Sequence, residues 1–96
     1  MSKQTDTDKM IYSLCDNDLF YIRGDVTSTE KTLRDSSKRL AIVTNRLTKT
    51  DDVPQELKSE ADAVLKEMER ILAETETFHK RLSRFYKEIM ERNMQM

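Results

Sequence analysis

The residues that could do chemistry are few in this chain. His79 is the only histidine and Cys15 the only cysteine, and they lie far apart in sequence. A metal site wants several nitrogen, sulfur or carboxylate donors at set spacings, and none accompanies His79. Without a neighbouring histidine to hold it as a thiolate, Cys15 is a poor nucleophile. The adjacent carboxylates Asp51-Asp52 and the pair Glu74/Glu76 stand among mixed charges, where nothing would lift a pKa into a range useful for acid–base work. A single glycine rules out a glycine-rich phosphate loop. The expectation is a chain with no catalytic residue, no cofactor, no metal and no small-molecule substrate, and so not an enzyme.

Lys80, Arg84 and Lys87 form a short basic ribbon, but Glu76, Glu88 and Glu91 are interleaved with it. A zipper-type DNA binder needs a dense basic helix ahead of its heptads, and the segment ahead of these is acidic. Seventeen Lys and Arg against eighteen Asp and Glu leave a net charge of −1, which makes no global field for nucleic acid or anionic lipid. Nucleic acid is therefore not expected as a partner.

The informative pattern is apolar, and it lies in 57–89. Leu57, Ala61, Val64, Met68, Ile71, Thr75, Phe78, Leu82, Phe85 and Ile89 follow one another at alternating steps of four and three. That is a heptad repeat with Ala61, Met68, Leu82 and Ile89 at a and Leu57, Val64, Ile71, Phe78 and Phe85 at d. Leu65, Leu72 and Tyr86 add a row at e. Three apolar rows are more than one neighbouring helix covers, so the pattern predicts packing against at least two.

A weaker heptad precedes it. Tyr12, Leu19, Val26, Leu33, Leu40 and Leu47 occupy a; Cys15, Ile22, Thr29, Ser36, Val43 and Thr50 occupy d. Thr29 and Ser36 thin the row, and Phe20 and Tyr21 lie off it as extra contacts for a partner. Gly24 falls at f, and Thr27 with Glu30 could cap a new helix there; a continuous helix with at most a bend is the expectation. Between the two heptad blocks, Thr50-Asp51-Asp52-Val53-Pro54 stops one helix and starts another, with Asp52 and Gln55 spaced as a capping box.

The organisation that follows is all-α: a disordered N-terminus at 1–7, a coiled-coil helix over 8–49, a linker at 50–53, a second over 54–92 and a frayed tail at 93–96. The linker allows a hairpin or a kinked rod. The a register of the first block, continued in sevens from Leu47, lands on Ala61, which chance would produce about one time in seven. That favours the rod, with the two helices completing a coiled coil with partner subunits. Pairs Arg70–Glu74, Glu76–Lys80, Arg84–Glu88 and Lys87–Glu91 at i,i+4 are expected on the outer surface. A chain with 36% hydrophobic and 36% charged residues has little material for a thick core of its own. The rows named above, outside Tyr12, Cys15, Ala61 and the polar positions, are therefore the expected partner interface. A lone cysteine and a polar first segment fit a cytoplasmic protein.

The segment 78–92, FHKRLSRFYKEIMER, resembles the end of subunit two of the biogenesis-of-lysosome-related-organelles complex. The similarity is carried by Phe78, Lys80-Arg81, Leu82, Tyr86-Lys87, Ile89 and Arg92, with Leu14-Cys15-Asp16 and the residues around Gly24, Asp25 and Thr27 as fainter matches. The resemblance implies a scaffold: a short coiled-coil subunit, shared with a sister complex that positions lysosomes, working among similar subunits in the cytoplasm at lysosome or endosome membranes. It implies membrane contact only through the complex. Asp18-Leu19-Phe20-Tyr21-Ile22 resembles the first helix of a small spindle–kinetochore subunit, which is the alternative. A free-standing helical-hairpin adaptor is a third class.

Overall fold

A computed structural model describes residues 6–94. The described residues hold two helices, α1 (Asp6–Lys49) and α2 (Gln55–Met94). They run antiparallel as a helical hairpin, so the kinked rod is not what forms. The shared heptad phase across Pro54 is coincidental.

The turn explains the reversal. The Thr50 hydroxyl donates to the Arg46 carbonyl at 2.7 Å, and the Thr50 N–H reaches the Leu47 carbonyl at 3.3 Å. Two of the carbonyls that a helix end leaves unpaired are thereby satisfied, while Arg46 and Lys49 sit favourably at the negative end of the dipole. The Val53 N–H then returns to the Thr50 carbonyl at 3.3 Å and closes a tight turn. The first N–H groups of α2 find the Pro54 carbonyl, from Leu57 at 3.1 Å and Lys58 at 3.2 Å. Pro54 thus occupies the half-helical entry position, and the Asp52–Gln55 box does not form: the Gln55 amide reaches Ser59 instead, at 3.5 Å. Proline suits this place because its fixed φ directs the chain into the helix and no N–H is wanted there.

Gly24 does not break α1, which passes through it in ordinary helical geometry. Asp6 and Thr7 of the expected N-terminal tail, and Asn93 and Met94 of the expected frayed end, are helical. Residues 1–5, with Thr5 as a candidate cap, and Gln95 and Met96 of the tail lie outside the described residues.

The chain divides into two compact units, Met1–Thr27 with Thr77–Met96, and Ser28–Glu76. In the unit Ser28–Glu76, Leu33, Leu40 and Leu47 of α1 and Ala61, Leu65, Met68 and Leu72 of α2 are all half-buried. In the other unit, Tyr12, Cys15, Leu19 and Val26 are half-buried, as is Ile89, while Leu82 and Tyr86 are buried at 8% exposure. No side chain among the described residues is fully buried. The seam is shallow, as two helices alone must make it.

Candidate interaction surface

Which apolar rows the hairpin uses decides what it leaves over. Continuing the heptad letters, the side chains that bond α1 to α2 in each unit fall on the e and b positions, one of them reaching a backbone carbonyl at a. In the unit Ser28–Glu76, Arg34 at b reaches Glu76 at b, 3.4 Å away, while holding Glu30 at 2.9 Å. Those bonds, Glu30 foremost, raise the Arg34 pKa above its ordinary value. Thr44 at e is the buried polar residue of this unit, 8% exposed. Its hydroxyl proton points to the Leu40 carbonyl at 2.9 Å, with the Ala61 carbonyl at 3.4 Å as a further acceptor. A threonine opposite an alanine lets the two backbones approach.

The other unit repeats the arrangement with different chemistry. The Arg23 guanidinium lies 5.2 Å from the centroid of the Tyr86 ring, e against e, a cation–π contact. Asn93 donates to the Asp16 carboxylate at 3.1 Å, again e against e. Burial first, then the hydrogen bond to Asp16 and its charge, push the Tyr86 phenol above its ordinary value of 10.0, and Arg23 pulls the other way. The phenol therefore stays protonated and donates to Asp16. The Thr27 hydroxyl donates to the Arg23 carbonyl at 2.9 Å and lies 3.3 Å from His79 Nε2, which leaves the ring nitrogen as donor. His79 is a half-buried part of this flank.

In both units, then, the a and e rows close the hairpin, and the d residues other than Cys15 and Ser36 are exposed on the opposite flank. Leu57, Val64, Ile71, Phe78 and Phe85 are all 41–52% exposed, and Ile22 and Val43 on α1 are 45% exposed. Two antiparallel helices whose e and b positions face each other must carry both d rows on one side, so each unit presents a two-helix apolar face to solvent.

The residues expected at a partner interface are thus divided. Leu19, Val26, Leu33, Leu40, Leu47, Leu65, Met68, Leu72, Leu82, Tyr86 and Ile89 pack within the hairpin. Leu57, Val64, Ile71, Phe78, Phe85, Ile22 and Val43 are uncovered. Sequence reasoning missed Thr44, whose signal was its e position with Ala61 available at a across the turn. It also missed Met10, Ile11, Leu14 and Ile42, which are exposed on α1. Phe20 and Tyr21 are exposed and stacked edge to face, with ring centroids 5.6 Å apart at 85°.

The surface ion pairs differ from those expected. Arg70 pairs with Glu67 at 3.5 Å, Glu76 with Arg34, and Glu88 with Arg92 at 3.2 Å. Exposed pairs one turn apart are nearly equal in energy, and the partner Arg34 exists for Glu76 only once the chain folds back. Arg92 is held above its ordinary pKa by Glu88 first and Tyr12 second.

No group of three His, Cys, Asp or Glu among the described residues is placed to hold a metal ion. The depression lined by Thr48, Gln55, Lys58, Ser59 and Asp62 is shallow and open to solvent. Comparison of the chain with protein-family models, with curated proteins and with solved structures finds no match.

Proposed function

We propose that this chain is a non-catalytic scaffold subunit, a helical hairpin that completes a hetero-oligomer with other short coiled-coil chains. One observation carries the reading: an apolar d row on α2, exposed along 57–85, beside a seam already closed by a and e. Exposed apolar patches of this extent mark sites where proteins meet, and heptad spacing suits partner helices best. No helix among the described residues is long and apolar enough to cross a membrane.

The resemblance of 78–92 to subunit two of the lysosome-related-organelle complex supports the finer reading. On it, the chain belongs to a cytoplasmic complex acting in lysosome or endosome biogenesis, positioning or trafficking. The exposed Phe20–Tyr21 pair, inside the segment that resembles a spindle–kinetochore subunit, favours that as the second reading. Replacing the chain in cells with a Phe85→Asp variant separates them. Dispersed or clustered lysosomes are expected on the first reading. Normal lysosomes with misaligned chromosomes would overturn it in favour of the second.

A further inference from the structure

The unit Ser28–Glu76 carries charges along its uncovered face that identify what covers it. Val43 of α1 and Leu57, Val64 and Ile71 of α2 make the apolar strip. The g positions edge that strip: Arg39 and Arg46 on α1, Glu60 and Glu67 on α2. One edge is basic and the other acidic. Arg39, Arg46 and Glu60 make no ion pair among the described residues, and Glu67 has only a 3.5 Å contact to Arg70.

The contacts across the hairpin fix the levels. Thr44 meets Ala61 and Arg34 meets Glu76, so Arg46 lies level with Glu60 and Arg39 level with Glu67. Turning a second copy by half a turn about an axis parallel to the helices brings α1 of one copy opposite α2 of the other, antiparallel and at the same level. Each basic edge then meets an acidic one: Arg39 faces Glu67 of the second copy, and Arg46 faces its Glu60. A two-fold axis across the helices would instead set α1 of this unit on α1 and α2 on α2, joining basic edge to basic edge. The face is therefore self-complementary in one orientation, as a two-fold interface requires.

We propose that the d face of this unit is covered by a second copy of the same chain, giving a four-helix bundle with both turns at one end. The other unit, taken by itself, would set Asp18 against Glu88, like against like, and Asp25 against Arg81, opposite charges, under the same rotation; its edges are not consistently complementary, and the pairing is assigned to Ser28–Glu76. Phe78, Phe85, Phe20 and Tyr21 are then left to the other subunits. This inference deepens the subunit role proposed above, because it assigns one uncovered face to a second copy and another to different chains.

The full chain, purified without other subunits, tests it by sedimentation equilibrium and circular dichroism. A dimer is expected at tens of micromolar. Val64→Asp should abolish it with helicity retained, since position 64 faces away from the hairpin seam. Arg39→Glu should weaken the dimer about tenfold, as two exposed opposite-charge pairs become repulsive; Arg39→Glu with Glu67→Arg should restore it. In a Cys15→Ser background, Asp51→Cys should be joined to its counterpart by a short bis-maleimide, because the two turns are neighbours. A monomer at these concentrations, a dimer indifferent to Val64→Asp, failure of the double variant to restore, or turns that do not cross-link would each overturn the proposal. A monomer that still gathers different helical chains through Phe85 would overturn the self-pairing and leave the subunit role standing.

Discussion

Leu82 and Phe85 are three residues apart on α2, both large and both apolar, yet the structure assigns them to different neighbours. Leu82 is 8% exposed against α1, and Phe85 is 52% exposed on the opposite flank. Truncating each to alanine should therefore separate folding from assembly. Full burial of a leucine side chain is worth about 1.5–3 kcal/mol, and truncation adds the cost of a cavity that collapses only partly. A two-helix seam relaxes more easily than a core, so Leu82→Ala should cost the isolated chain roughly 2–3 kcal/mol, the low end of the usual range. Phe85→Ala removes a side chain already half in water and should cost the isolated chain less than about 1 kcal/mol. Urea unfolding followed by circular dichroism, on chain dilute enough to be monomeric, reads both. In the assembled complex the order should change, because Phe85 is then desolvated as well. Equal destabilisation of the dilute chain by the two variants would refute the division of rows between seam and interface.

Three further outcomes follow from individual residues. Gly24→Ala should stabilise α1 by about 1 kcal/mol, visible as a higher melting temperature, because the glycine is helical and an added Cβ meets nothing within 4 Å. Tyr86→Phe should flatten the alkaline limb of the stability curve. The folded phenol titrates above its ordinary value of 10.0, so its contribution is fully present below pH 10 and is lost as pH rises through the raised value. The difference between wild-type and Tyr86→Phe unfolding curves isolates that contribution from the lysines. Limited proteolysis should cut within 50–53 before it cuts within α2, since this turn alone interrupts the two helices; first cleavage inside 61–89 would contradict the boundaries.

The sequence made the helices legible because apolar residues at 3.5-residue spacing leave few alternatives, and α2 was legible to the level of three separate rows. It also showed that one row was surplus. Which row would be surplus was not legible, because that depends on α1, whose e positions are Asp16, Arg23, Glu30, Ser37 and Thr44. None of these reads as a core residue. Asp16, Arg23 and Thr44 close the hairpin through hydrogen bonds, an aromatic contact and small size, which an apolar pattern does not record. The hairpin itself was masked by the unbroken a register from Leu47 to Ala61, a coincidence of spacing. What reverses the chain is the hydroxyl and amide of Thr50 returning to the end of α1, a local signal weaker in sequence than the heptads on either side. The surface ion pairs were illegible for another reason: each acid has several bases in reach, and tenths of a kcal/mol choose among them.

The central claim is that the uncovered d row of α2 seats other subunits, and copurification tests it most directly. The full chain, tagged and isolated from cells that express it, should bring down a fixed set of short heptad-bearing chains. Phe85→Asp would place a carboxylate where those chains desolvate the surface, at a cost of several kcal/mol. The account predicts that this variant keeps its helicity and loses the set. Retention of the same chains by Phe85→Asp, in the same proportions, would contradict it.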